Sequence, residues 1–161
     1  MTSDRSPFTA DAPVTEAYVW IWLPGAFEPV VAGRIAREGA VYIFNYGRSY
    51  LERAGSMPLY LPELPLRRGA IVPEAPLDMA GCLRDGAPDA WGRRVIINRL
   101  TGLGGEAAYN VEFDELTFML HSGSDRIGVL DFQISADRYQ PREQENATLE
   151  EMLEAAERVE R

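Results

Sequence analysis

Few residues in this 161-residue chain are of the types that make or break bonds, and their spacing limits what each could do. Cys82 is the only cysteine, which excludes an internal disulfide and any multi-cysteine metal site. It reads as a small buried apolar residue rather than a nucleophile. His121 is the only histidine, with no thiol near it in sequence, so a zinc site is not expected. At the end of a helical run, a partial positive charge on it would suit the helix dipole. Asp85 and Asp89 could be an acid–base pair, but carboxylates on a solvated Asp-Gly-Ala-Pro-Asp loop usually form turns and caps. Gly102-Leu103-Gly104-Gly105 resembles a phosphate cradle. It follows a predicted helix instead of a strand and has no Lys-Ser/Thr sequel, so it reads as a plain connection. No catalytic, cofactor-binding or metal-binding residue is assigned. The residues left are suited to recognition: Trp91, Arg93 and Arg94 are the candidate partner-binding set.

Those three sit on a predicted helix whose ends are well marked. Asp89 is a natural N-cap, because its carboxylate can accept from free amides of the first turn. Trp91, Val95, Ile96, Ile97 and Leu100 give a broad apolar face, leaving Arg93, Arg94 and Arg99 for solvent or a partner. Gly102 supplies the C-terminal stop. A second helix, capped at Asn110 or a neighbour, carries Phe113, Leu116, Thr117 and Leu120 on one face and ends at His121. It turns through Ser122-Gly123-Ser124-Asp125 toward a strand over Val129–Ile134.

Ahead of these helices the chain reads as strands. Tyr18, Trp20 and Trp22 alternate with Val19, Ile21 and Leu23, apolar on both faces, as in a central strand. Pro24-Gly25 and Glu38-Gly39 punctuate two further strands, Pro29–Ile35 and Ala40–Tyr46, giving an antiparallel meander. One helical turn follows at residues 48–52. Five prolines from Pro58 to Pro76 forbid regular helix, so an extended segment turning at Arg67-Arg68-Gly69 is expected along the sheet. A short helix is expected to start near Pro76. The fold class is α+β: a small antiparallel sheet, a meander or partly open barrel, with several packed helices. Residues 1–16 read as a flexible leader, 17–147 as one domain with Ala136–Ala147 as a polar linker, and 148–161 as the start of a helix. In that last segment Thr148 and Glu151 form a capping box, and Leu149, Met152, Leu153, Ala156 and Val159 line one side. The segment ends at Arg161 without a helix stop, which suggests a polypeptide that continues.

Apolar content of 46% with 10% aromatic residues fits a folded domain, and a net charge of −9 disfavours broad nucleic-acid binding. No apolar run reaches the length of a membrane span and no signal peptide is evident, so a cytoplasmic protein without a membrane partner is expected.

Taken together, certain pieces resemble the N-terminal region of HipA-like serine/threonine protein kinases, the toxins of bacterial type II toxin–antitoxin pairs. They are Phe44-Asn45-Tyr46 with Tyr50-Leu51, Leu64-Pro65-Leu66 with Arg67-Arg68-Gly69, Asp85–Arg93, and Leu120–Phe132 with its Gly-Ser-Asp-Arg-Ile-Gly core. Their order and spacing span most of residues 18–160. The resemblance implies a small sheet-and-helix domain that packs on a kinase core in cis or in trans and contributes to antitoxin contact. ATP and magnesium would bind only in that core, which this chain does not contain, so the chain alone should be catalytically silent. The alternative it implies is a stand-alone regulator, antitoxin-like, that restrains a separately encoded kinase.

Overall fold

The double-sided apolar pattern of the first strand has its cause in the sheet order. In the computed structural model, which describes residues 14–124 and 128–142, the strands are β1 (Glu16–Ile21), β2 (Val30–Glu38), β3 (Val41–Tyr46) and β4 (Leu130–Gln133). They form one antiparallel sheet ordered β3-β2-β1-β4, so β1 is central. The first three strands are the expected meander, and β4 joins from the far end of the chain. The fold is α+β, an open four-stranded sheet with helices α1 (Arg48–Glu52), α2 (Gly81–Arg84), α3 (Ala90–Thr101), α4 (Glu106–Tyr109) and α5 (Glu115–His121).

On one face of the sheet Ala17, Val19, Ile21, Ile35, Phe44 and Phe132 are buried with Leu64, Met79, Leu83, Leu116, Met119 and Leu120. The proline-rich segment 58–78 lies against β3 as an extended cover. Ile71 exchanges backbone hydrogen bonds with Phe44, and Tyr42 N donates to Asp78 O. This cover satisfies part of the outer edge of β3, which would otherwise be a bare hydrogen-bonding edge. The other face is covered around β1 by the segment after β4, where Tyr139 stands against Trp20 and Trp22 at 5.5 and 5.1 Å between ring centroids.

Two helix starts differ from the sequence expectation. No helix begins at Pro76. The chain turns there, with Leu77 N bonded to Glu74 O, and α2 starts at Gly81, where the Glu63 carboxylate accepts from Gly81 N and Cys82 N. The N-cap of α5 is Asp114, four residues past Asn110; its carboxylate accepts from Leu116 N at 3.0 Å. The same carboxylate holds Arg37 at 2.6 Å and the Tyr42 hydroxyl at 2.9 Å, so the β2–β3 hairpin fixes where α5 begins. By contrast, α3 has the expected ends: Asp89 accepts from Gly92 N at 2.8 Å, and Gly102 stands at φ 72°. α5 is buried on two sides, joining the main core to a second cluster of Ile96, Ile97 and Phe118 with Leu100, Val111 and Phe113.

Gly33 in β2 is required by close approach: a Cβ there would collide with the Asn45 carbonyl oxygen and the Phe44 ring. Backbone on the neighbouring strand cannot move aside cheaply, so Gly33→Ala should lower stability by about 2–3 kcal/mol, the scale of overpacking a core. Gly47, whose Cβ position has 3.7 Å of clearance, is the control and should tolerate alanine. Urea unfolding midpoints of the two variants check this.

Candidate partner-binding surface

Of the three candidate partner residues, the structure separates Trp91 and Arg94 from Arg93. Trp91 is 40% exposed and is not on the core side of α3. At 100° per residue, Trp91 and Val95 fall far around the helix from Ile96, Ile97 and Leu100. The apolar residues therefore form two sides, and only the second packs against Phe113 and Phe118. Periodicity merges the two sides into one broad face; the structure separates them and places Trp91 outward.

Arg93 is not left to solvent. Its guanidinium makes a two-pronged pair with Glu115, at 2.8 and 2.7 Å, and its carbon Cζ lies 4.7 Å above the Phe118 ring. The hydrogen bond to Glu115 raises its pKa further, against the opposing effect of burial. This planar fork ties the start of α3 to the first turn of α5, a use of arginine that lysine could not copy. Arg99 donates to the His121 carbonyl at 2.7 Å and ties the other end of α3 to the end of α5. Arg94 is half-buried on the outward side near Trp91. Thus α3 is held by arginines at both ends while Trp91 stands exposed on its outward side.

The turn after α5 is fixed by a buried ionic cluster that the sequence reading did not find. Asp131, on β4, is 0% exposed. Its carboxylate accepts from Arg142 at 2.9 Å, the Tyr139 hydroxyl at 2.8 Å, Gln133 at 3.0 Å and the amide of Phe132 at 2.8 Å. Burial alone would raise its pKa. The Arg142 charge and hydrogen bonds from Ser124, Tyr139 and Gln133 overcome that and hold it below the usual carboxylate range. Arg142 also donates to Ser122 O at 2.8 Å and its backbone exchanges bonds with Ser124. Residues 135–142 are therefore a strap across the sheet, not the polar linker expected there. The first part of the Ser-Gly-Ser-Asp turn is held by it; Asp125, Arg126 and Ile127 lie outside the described residues, as do residues 1–13 and 143–161.

The bond-making candidates are all engaged in structure. Asp89 is the α3 cap, and Asp85 closes α2 through its amide to Gly81 O. The Gly102–Gly105 stretch connects α3 to α4, with Thr101 Oγ1 accepting from Leu103 N. Burial pushes the Cys82 thiol up to about 12, with the Glu63 charge acting in the same direction, so little reactive thiolate forms near neutral pH. Among the described residues no cluster of three or more His, Cys, Asp or Glu could hold a metal, and no helix is long and apolar enough to cross a membrane.

The HipA N-terminal domain family matches residues 21–133, from the last residue of β1 to the last residue of β4. The chain belongs to the HipA N-terminal domain family. No curated protein matches it. The family match thus covers α3, α5 and Asp131, but not the strap that supplies Tyr139 and Arg142. What defines this HipA N-terminal domain locally is an open sheet completed by a late strand, with α3 and α5 clasped beside it.

His121 behaves differently from the charged helix terminus that the sequence suggests. Burial first, then the Arg99 and Arg142 charges, lower its pKa to about 4, so it is neutral near pH 7. Between pH 6.5 and about 4 the unfolded chain takes up a proton that the folded one refuses. Stability should therefore fall as pH drops through that window. His121→Gln should flatten the decline relative to the parent chain when urea midpoints are compared at pH 7, 5.5 and 4.5.

Proposed function

We propose that this chain is the N-terminal, non-catalytic domain of a HipA-like serine/threonine protein kinase toxin of a toxin–antitoxin system. The observation that carries this reading is the family match over residues 21–133. The domain packs on the kinase core, in cis or in trans, and contributes to the surface that meets the antitoxin. ATP and magnesium belong to that core, and the whole protein works in the cytoplasm without direct contact to nucleic acid or membrane.

The outward side of α3 is the face that couples the domain to the core. An exposed tryptophan beside an arginine has the composition of an interface anchor. Arg93 acts as a positioning residue, since its fork is engaged by Glu115 and keeps α3 seated. The chemistry of the face serves equally well for a kinase core encoded separately, which is the regulator form of the same reading.

Binding of the kinase core to the parent domain and to Trp91→Ala and Arg94→Glu tests this. Each substitution should weaken association at least about tenfold, the scale of an interface hot spot. Unchanged affinity would remove α3 as the coupling face, and absence of any binding by the parent domain would remove the coupling itself.

A further inference from the structure

Two features left over from the domain's own packing are complementary to each other. The first is Phe27, in the loop Pro24-Gly25-Ala26-Phe27-Glu28-Pro29 that joins β1 to β2. Ala26 N donates to Leu23 O at 2.9 Å and Gly25 stands at φ 74°, so the loop turns tightly. Its two prolines restrict it further. Phe27 projects from this loop 99% exposed. Glu28 beside it forms no ion pair among the described residues.

The second feature is a cleft of about 250 Å³ at the outer edge of β3, between the proline-rich cover and α2. Phe44, Leu64 and Leu83 form its buried floor, and Val72 and Leu77 stand exposed at its rim. The volume is below the roughly 300–1,000 Å³ of a site for a drug-sized molecule, and it suits a single large side chain. Six of the eleven large apolar residues exposed among the described residues fall within 57–77. The apolar surface of the domain is thus concentrated around this cleft, which is the mark of a contact site. Charge favours the same match. Of the two carboxylates that line the cleft, Glu63 is taken up by the amides of Gly81 and Cys82, which leaves Glu74. Against it stand Arg67, on the lining, and Arg68, next in the turn. Arg67 donates to the Ala70 carbonyl through one of its N–H groups, and Arg68 has no partner among the described residues. An apolar side chain followed by an acid therefore fits here, and Phe27-Glu28 is such a pair.

We propose that a second copy of this chain seats its Phe27 in the cleft at the β3 edge, with its Glu28 against Arg67 and Arg68. One copy supplies the projecting loop and the other the socket, as when an apolar side chain meets a pocket elsewhere on an identical molecule. No residue of α3 and no kinase core takes part, so this goes beyond the coupling role and stands or falls apart from it.

Sedimentation equilibrium of the 161-residue chain tests this, with two variants at exposed positions that leave the core untouched. Phe27→Ala removes the apolar anchor, and Val72→Glu places an acid at the rim where Glu28 would sit. Each should weaken self-association at least about tenfold. Mixed in equal amounts, the two variants should associate with each other more strongly than either does with itself. The Val72→Glu chain still carries Phe27, and the Phe27→Ala chain still carries an intact cleft. Such recovery could not come from two misfolded chains. A parent chain that stays monomeric up to about 1 mM, the weak end of specific affinity, would overturn the proposal. Variants that associate as strongly as the parent, or a mixture no stronger than the variants alone, would overturn it as well.

Discussion

A carboxylate with no exposure to water is the constraint around which the molecule is arranged. Removing Asp131 from water costs several kcal/mol unless charge and hydrogen bonds replace the lost hydration. The replacements come from three places: the strand itself, through Phe132 N and Gln133, the strap, through Tyr139 and Arg142, and the turn after α5, through Ser124. Each donor has another attachment. Tyr139 packs on Trp20 and Trp22, so the cluster reports on the back of β1. Arg142 holds the Ser122 carbonyl, so it reports on the exit of α5. If Asp131 lost its ionic partner, β4, the strap and the α5 turn would loosen together.

From that anchor the rest follows by packing. α5 is fixed at its start by Asp114 to the β2–β3 hairpin and at its exit by the Asp131 cluster. α3 is then clasped to α5 by Arg93–Glu115 at one end and Arg99–His121 O at the other. The arginines engaged on α5 hold the helix in place, and Trp91 stands exposed on its other side. Groups that could react are quieted by the same packing: the thiol of Cys82 and the imidazole of His121 are both held in their neutral forms near pH 7.

The strands and the α3 ends were legible because their signals are local. Alternation in Tyr18–Leu23 showed a strand covered on both faces, and Asp89 with Gly102 marked a helix whose caps lie within it. Signals that fail are those set by distant partners. Asp131 in Val-Leu-Asp-Phe-Gln-Ile looks like any polar strand position; its meaning depends on Arg142, eleven residues later in a stretch without periodicity. The α5 cap is Asp114 because Arg37 and Tyr42 hold it from across the chain. The one broad apolar face expected of α3 is two sides, because apolar residues on both mimic a single stripe and only Phe113 and Phe118 reveal which side is inward. The resemblance succeeded where periodicity could not, since it rests on ordered motifs instead of on faces.

The central claim is that Asp131 is ionised inside the fold and held so by Arg142 and its other donors. The direct measurement is a carbon-13 NMR titration of the Asp131 side-chain carboxyl in the native chain. The account predicts that it remains ionised to a pH below the ordinary aspartate value of about 3.9. A carboxyl that takes up its proton at or above that value would contradict it, because burial would then outweigh the partners that the fold supplies.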